Sequence, residues 1–596
     1  MAWYDEAVFY HIYPLGLAGA PKQNDYGEPV HRLNTLLPWV DHIKEIGGSA
    51  LYIGPLFESV GHGYETTDYK KLDSRLGTNE DLTAFVAYCH EQGIKVIFDG
   101  VFNHTGRDFF AFKDIQANRE NSHYKDWYCN VNFWGNNEYN DGFSYDNWGG
   151  YNLLVKLNQK NPAVVDYICD VIRFWVSEFD VDGIRLDAAD VLDFDFMKAL
   201  RRTANEVKPD FWLMGEVIHG DYSRWVNGET LHSVTNYTLH KALYSGHNDH
   251  NYFEIAHTVR RLQNMGTLKL YNFVDNHDVE RIYTKLTNKA HFAPVHVLLY
   301  TLPGVPSIYY GSEFGIEGRK EYGSDDSLRP ALNIEDYKDS VKTNPCTALI
   351  AALGKVRQAV PALSYGSYDE LMLTNRQFAY ARDLDGTRVI VSVNNDDAPA
   401  GMHLAAGNCT AYIGALSGEK VSVQDGHINI TQPANSGEIW VPEGTDLDVK
   451  PVKVVTKTDS EAKTNTEDKA ASETATDAKG NKEAEPKIES KGIVTATESA
   501  DAKKNTTDIE KNTTAANEVK DSAKDASAQA AADTPVDPET ITVDWSKSPE
   551  SMTVPELQAA ILAKLAGNGP VDAQMKKTVV DNIWHDSLVN WLKSFR

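Results

Sequence analysis

The segment DGIRLDA, Asp182 to Ala188, carries the reading on which the fold turns. Its apolar part is short enough for a buried strand, yet it closes on Arg185 and Asp187, two positions apart and therefore on one face of the strand. Three further segments read as strands: SALYIGPLF (Ser49 to Phe57), IKVIFDGVF (Ile94 to Phe102) and FWLMGEVI (Phe211 to Ile218). Between them, DLTAFVAYCHEQG (Asp81 to Gly93) and NPAVVDYICDVIRFWVSEF (Asn161 to Phe179) have helical spacing, and the first stops on Gly93, a natural C-cap. Alternating strands and helices to about residue 350 predict an α/β chain built on a parallel sheet, either a closed barrel or a doubly wound sheet.

Polar residues gather at the carboxyl ends of these strands: Asn103 and His104, Arg185 and Asp187, Glu216, then His277 and Asp278. In a (β/α)8 barrel that end is the catalytic face. The connection from about Thr105 to Lys156, rich in Trp, Tyr, Asn and Gly, is too long for an ordinary βα loop and predicts an inserted subdomain. From about Val360 to Pro442 short alternating strands take over, with Asp385-Gly386 as a hairpin turn, so an antiparallel β-sandwich follows. No aromatic residue occurs between Trp440 and Trp545, and the Lys, Glu, Asp, Ala, Ser and Thr run between them cannot bury enough apolar area to fold. Thr553 and Glu556 then offer a capping box before LQAAILAKLAG, and a second amphipathic stretch runs from about Val571 to Phe595. The expected layout is a barrel over 1–358 with its insertion at 105–156, a β-sandwich over 359–445, a disordered linker over 446–545 and a helical module over 546–596. The module either packs its own apolar stripes together or offers a face to a partner or a second copy.

A chain of 596 residues with a formal charge of -27 is a poor match for a nucleic-acid backbone or an anionic membrane, both of which are held by clustered Lys and Arg. Neutral ligands remain. The opening MAWYDEAVFYHIYP has acids and aromatics where an export signal needs a basic start and an apolar run, and no stretch reaches the roughly 18 apolar residues that span a bilayer. Cys89, Cys129, Cys169, Cys346 and Cys409 are odd in number and widely spaced, as expected of reduced thiols. A cytoplasmic protein is the simpler expectation.

Retaining cleavage of a glycoside needs one carboxylate to attack the anomeric carbon and a second to protonate the departing oxygen. Asp187 and Glu216 suit the two tasks. The fixed cation of Arg185 is expected to keep Asp187 ionised, whereas Glu216, after the bulky FWL run, is expected to sit in a drier setting that retains its proton. Alone, Arg185 and Asp187 read equally well as a buried salt bridge, and a strand-end acid often caps the next helix. Polar clusters at several successive strand ends are harder to obtain as decoration.

DGVFNH (Asp99 to His104), GIRLDAAD (Gly183 to Asp190), GEV (Gly215 to Val217) and FVDNHD (Phe273 to Asp278) resemble, in order, the four signature regions of the α-amylase family of glycoside hydrolases, family 13. HGYETTDY (His62 to Tyr69), LVKLN (Leu154 to Asn158) and GVPSIYYGSEFG (Gly304 to Gly315) extend the resemblance over essentially residues 3 to 445. It implies a (β/α)8 barrel with a B domain after the third strand and a C-terminal antiparallel β-sandwich. It also implies Asp187 as nucleophile, Glu216 as acid/base and Asp278 as the third carboxylate, holding sugar hydroxyls. His104 and His277 are similar to hydroxyl-binding histidines, and Tyr64 to the aromatic that stacks beneath the cleaved unit. LVKLN and HDVERI (His277 to Ile282) are most similar to the neopullulanase, cyclomaltodextrinase and maltogenic amylase group, which points to α-1,4-glucosidic bonds in maltodextrins, cyclodextrins or starch.

Asp190-Val191 stand where many α-amylases have Lys-His, which puts lysine-mediated binding on the leaving side in doubt. No cofactor is needed for the chemistry, but the resemblance makes Asn103 a calcium ligand, with Asn158 a possible second; a complete site needs about six oxygens or more. Rival readings are a glucan transglycosylase or α-glucosidase using the same intermediate and, from another class, a non-catalytic glucan-binding protein. If the tail beyond about residue 450 is a decoupled tether, its deletion leaves turnover of a small maltooligosaccharide nearly unchanged; a large loss of turnover means that the tail acts at the cleft.

Overall fold

The computed structural model of the chain describes residues 2–266, 268–321, 324–447, 449, 543, 547–548, 552–566 and 592. It divides into two units, residues 1–481 and 482–596.

In the first unit eight parallel strands follow one another around a barrel: β1 (Phe9–Ile12), β2 (Ala50–Ile53), β3 (Lys95–Gly100), β4 (Gly183–Leu186), β5 (Trp212–Gly215), β6 (Ser233–Val234), β7 (Tyr271–Phe273) and β8 (Val305–Tyr309). β8 lies between β1 and β7, and a parallel bridge from Thr235 to Tyr271 joins β6 to β7 and closes the circle. The period of two sorts the side chains. Phe9, Tyr52, Ile97, Trp212, Met214, Tyr271 and Phe273 fill the interior, with Trp212 stacked on Phe9 at 5.0 Å. Their neighbours Tyr10, Leu51, Phe98, Ile184, Leu213 and Ile308 belong instead to the larger core that includes the surrounding helices. The same alternation turns Asp99, Arg185, Asp187 and Glu216 toward the barrel axis, one step beyond the apolar plug. Gly183 leaves space for this packing: a Cβ there would lie 2.5 Å from the Trp212 carbonyl oxygen.

Both helices expected from spacing form. One spans Asn79–Glu91, with Thr78 and Asp81 as its capping box and Gly93 at φ 77° beyond its end. The other spans Pro162–Phe179; Asn161 caps it, Asp180 ends it in a left-handed conformation, and its Trp175 stacks on Phe57 at 4.4 Å. The connection from β5 to β6 departs from the βα pattern, since its only described helical piece is a 3-10 turn, Tyr222–Arg224. Asn227 accepts the amides of Glu229 and Thr230 and turns the chain back before a longer helix develops.

After β3 the chain leaves the barrel to form a three-stranded antiparallel sheet from His104–Thr105, Asn147–Trp148 and Tyr151–Lys156. This insertion has an aromatic centre of Phe112, Tyr128, Phe143 and Tyr145. Residues 367–442 make a six-stranded antiparallel sheet faced by the pair Ala400–Ala405 and His427–Gln432, with Ala379, Ile390, Leu404, Ile428 and Trp440 between the layers. Asp385 and Gly386 both have positive φ, 49° and 82°, as a two-residue hairpin turn requires. The architecture is a TIM barrel with a C-terminal β-sandwich.

In the second unit the helix Val554–Ala566 begins where Thr553 donates both its N–H (2.7 Å) and its hydroxyl (3.0 Å) to Glu556. Met552, Leu557, Ala560, Ile561 and Leu592 share an apolar cluster. The expected second helix (571–595), apart from Leu592, and nearly all of the expected linker lie outside the described residues.

Barrel and sandwich meet at the helix Phe292–Thr301. Two buried arginines cap its end, Arg357 on Tyr300 O (2.8 Å) and Arg382 on Thr301 O (2.6 Å), where a cation complements the helix dipole. Buried histidines also line this junction. Burial pulls His247 down to about 3, and His291 and His296 to about 4. As pH falls, the unfolded chain takes up protons near 6.5, before these native rings can, so their contribution to stability is present above about 6.5 and is lost toward 4. The urea midpoint is therefore expected to decline over that window, and His296→Gln to flatten the decline; a midpoint flat from pH 6.5 to 4 would contradict this.

Candidate active site

A guanidinium forms the floor of the site. Arg185 on β4 is 3% exposed, so its charge must be met by protein. Its Nη1 donates to Asp99 Oδ1 at 2.8 Å and to Asp187 Oδ1 at 2.9 Å, and its Nη2 lies 2.8 Å from Glu216 Oε2. Adjacent strands β3, β4 and β5 thus deliver their terminal carboxyls to one side chain. Burial works against the Arg185 charge, but Asp99 and Glu216 hold it on. Asp99 also accepts the hydroxyls of Tyr52 (2.8 Å) and Tyr64 (3.1 Å). Ala188, immediately after Asp187, takes a left-handed backbone with φ 46°, a conformation that costs an L-residue roughly 1–2 kcal/mol. In that conformation its N–H donates to Glu216 Oε2 at 3.1 Å.

The expected division between an ionised Asp187 and a dry, protonated Glu216 is not built in. Arg185 serves both, and Glu216, its side chain 15% exposed, is no drier than Asp187 at 10%. Burial pushes the Asp187 carboxyl well above the usual carboxylate range; Arg185 opposes the rise, and Glu216, Asp99 and Asp278 add to it. Burial raises Glu216 as well, again opposed by Arg185 and reinforced by Asp278. Both carboxyls are raised by burial and share one cation, so their protonation is a property of the coupled pair rather than of one residue.

Above this floor opens a cavity of about 390 Å³ whose walls include Tyr64, His104, Asp187, Glu216 and Asp278. Its size suits a few sugar units. Asp278 comes from the segment after β7, where Arg329 Nη2 donates to Oδ1 at 2.8 Å and His277 Nε2 lies 3.1 Å from Oδ2. His277 itself is buried rather than lining: its ring runs parallel to those of Tyr13 and Tyr64 within 12°, and its Nε2 bonds to the Tyr64 hydroxyl. Burial keeps it neutral, well below its usual pKa. His104 is lowered to about 4 by burial, and its Nε2 bonds to the Tyr64 carbonyl at 3.1 Å, which positions the loop that presents Tyr64.

Both asparagines are hydrogen bonded within the protein. The side-chain oxygen of Asn103 accepts from Gln159 Nε2 at 3.4 Å, and that of Asn158 from the Lys160 N–H at 3.2 Å, while the Asn158 amide donates to Asp126 O. Among the described residues no group of three or more His, Cys, Asp or Glu is placed to hold a metal ion. No chemistry is routed through a calcium ion.

Several cavity residues carried no assignment from sequence. Trp148 and Tyr151 reach the rim from the insertion, whose aromatic richness was the available signal. Arg329, Asp325 and Lys320 arrive from the segment after β8, about 50 residues beyond Asp278, with no motif to announce them. Asp190 also lines the wall, so the position that differs from many α-amylases does face the cavity.

Parallel strands that end in carboxyls around a sugar-sized hollow define a glycoside-cleaving barrel. Comparison with known proteins gives the same class: a family profile described as "Alpha amylase, catalytic domain" matches residues 31–355. The chain belongs to the α-amylase family of glycoside hydrolases. It is 31% identical over 422 residues to a cyclomaltodextrinase of a Bacillus species, spanning 67% of this chain and 74% of that protein. To neopullulanase 2 of Thermoactinomyces vulgaris it is 29% identical over 473 residues, 74% of this chain and 78% of the relative. A solved cyclomaltodextrinase structure superposes with TM-score 0.66 and 27% identity, covering 74% of this chain and 78% of the other.

Arg185 lowers both central carboxyls, so its removal should raise them further. In Arg185→Met most turnover is expected to be lost, and the acid limb of the residual kcat/KM profile to move to higher pH. An unmoved limb would show that the guanidinium does not set the ionisation of the pair.

Proposed function

We propose that the chain is a retaining hydrolase of α-1,4-glucosidic bonds in maltodextrins, cyclodextrins or starch, working by double displacement. The observation that supports this reading is the common hold of Arg185 on Asp187 and Glu216, which keeps two carboxyls together at the cavity floor, as a nucleophile and an acid would need. In the first step the Glu216 carboxyl gives its proton to the glycosidic oxygen as Asp187 bonds to the anomeric carbon and the leaving sugar departs. In the second, Glu216 takes a proton from water, the oxygen adds to the anomeric carbon and the bond to Asp187 breaks. Positive charge developing on the ring is met by the carboxylates of Asp187 and Asp278. Asp278 is held by Arg329 and sits ready to accept sugar hydroxyls. A substrate ring over Asp187 excludes water from one member of the pair and approaches the other through its oxygen, which separates the roles that the empty floor leaves shared.

Short linear or cyclic maltodextrins are favoured by the names of the relatives, a cyclomaltodextrinase and a neopullulanase. Asp190 on the wall offers a carboxylate, raised by burial, where a lysine would bind leaving-side hydroxyls differently. Five unpaired cysteines favour a reducing, cytoplasmic setting, and among the described residues no helix is long and apolar enough to cross a membrane. Proton NMR of maltoheptaose digestion, with chromatography of maltoheptaose and β-cyclodextrin products, tests the reading. The α-anomer is expected first, with short maltooligosaccharides accumulating. The β-anomer first would contradict retention, and only longer or rearranged glucans would mean transglycosylation.

A further inference from the structure

The insertion carries a second concavity, about 700 Å³, whose walls share no residue with the catalytic cavity. Trp134 stands on its edge, 98% exposed. A tryptophan left bare to that degree offers solvent one of the largest flat apolar surfaces a side chain carries. Its loop is braced rather than loose. Asn132 accepts the Trp134 N–H at 3.0 Å, and the backbones of Asn132 and Ser144 bond to each other in both directions, at 2.8 and 2.9 Å. Phe133, next in the chain, packs on Phe143 with Arg119 over both rings. The indole is therefore presented by a fixed support.

Around it lie Glu120, Asn130, Asn132, Ser144 and Asp146, with the Asn130 amide donating to Asp146 at 2.8 Å. No Lys or Arg lines the hollow; the nearby Arg119 donates to the carbonyls of Asp141 and Gly142 and lies 3.9 Å from the Glu120 carboxylate. Two carboxylates and no cation among the lining residues disfavour an anionic ligand. A flat apolar ring flanked by amide and carboxylate groups suits a neutral ligand with an apolar face and a hydroxyl rim, which is the chemistry of a sugar unit. Asp146 stands two residues before Trp148 and five before Tyr151, both on the wall of the catalytic cavity. The stretch of chain that walls the second hollow thus runs on within a few residues to the wall of the catalytic cavity.

We infer that Trp134 and its polar neighbours form an accessory, non-catalytic α-glucan-binding site that holds long substrates outside the catalytic cavity; this rests on the α-glucan reading above. Trp134→Ala and Asp146→Asn, each in the full chain, test it through kinetics on maltotriose and on soluble starch, starch-gel electrophoresis and sedimentation velocity. Maltotriose turnover is expected to stay at the parent value, while KM for starch rises ~5- to 10-fold and gel retardation weakens, Trp134→Ala more than Asp146→Asn. Unchanged starch KM and retardation in both variants, with maltotriose turnover intact, would overturn the site and leave the proposed function standing. A Trp134→Ala protein that sediments as a smaller species than the parent, with starch binding unaltered, would show that a second copy covers the ring and would equally overturn it. A parent that cleaves no α-glucan would overturn both readings.

Discussion

One guanidinium organises the catalytic end of the barrel. Arg185 is buried, and its outer nitrogens meet carboxyl oxygens from three neighbouring strands. Bringing charges out of water is costly for each partner taken singly, and the cost is met only because the hydrogen bonds are short and directed. The consequence is a fixed spacing among Asp99, Asp187 and Glu216 that no flexible loop would maintain. Remove the cation and three acids face one another in a dry floor; remove the strands' parallel register and they never meet.

The rest of the site is built outward from that floor. Tyr52 and Tyr64 close over Asp99, so the deepest carboxylate is spent on holding the aromatic that walls the cavity. Tyr64 in turn covers His277, and His277 adjoins Asp278, whose other oxygen is held by Arg329. A chain of hydrogen bonds thus connects the carboxyl ends of β3 and β4 with the segments after β7 and β8. Below, the plug of Phe9, Trp212 and Tyr271 keeps the barrel axis dry and stops the polar cluster from sinking inward. The left-handed turn at Ala188 stores modest strain at the same place, which is where function tends to hold a backbone in an unfavourable state.

Much of this was legible in the chain before folding. Strand period put Arg185 and Asp187 on one face, apolar runs marked β2 through β5, and helical spacing with Gly93 as a stop marked the two long helices between them. The motif order gave the family and the places of Asp187, Glu216 and Asp278. What could not be read is what one side chain does across strands. Nothing in GIRLDAAD says that Nη2 of Arg185 reaches Glu216 on the neighbouring strand, so the expected split of ionisation between the two acids was drawn from sequence neighbours alone. Arg329 and Asp325 were invisible for a similar reason, since a long loop after β8 brings them back over Asp278. The hydrogen bonds of Asn103 and Asn158 to Gln159 and Lys160 were likewise not legible from the motifs alone.

The pairing of Asp187 with Glu216 at a single acetal is tested most directly by trapping. Maltosyl fluoride needs no acid to lose its leaving group, so Glu216→Gln should still let Asp187 attack while the second step stalls for want of a base. Digestion and mass spectrometry of that variant are expected to find one maltosyl group on the peptide containing Asp187 and on its side chain. A label on another carboxylate, or fluoride release at the parent's rate with no label anywhere, would contradict the account.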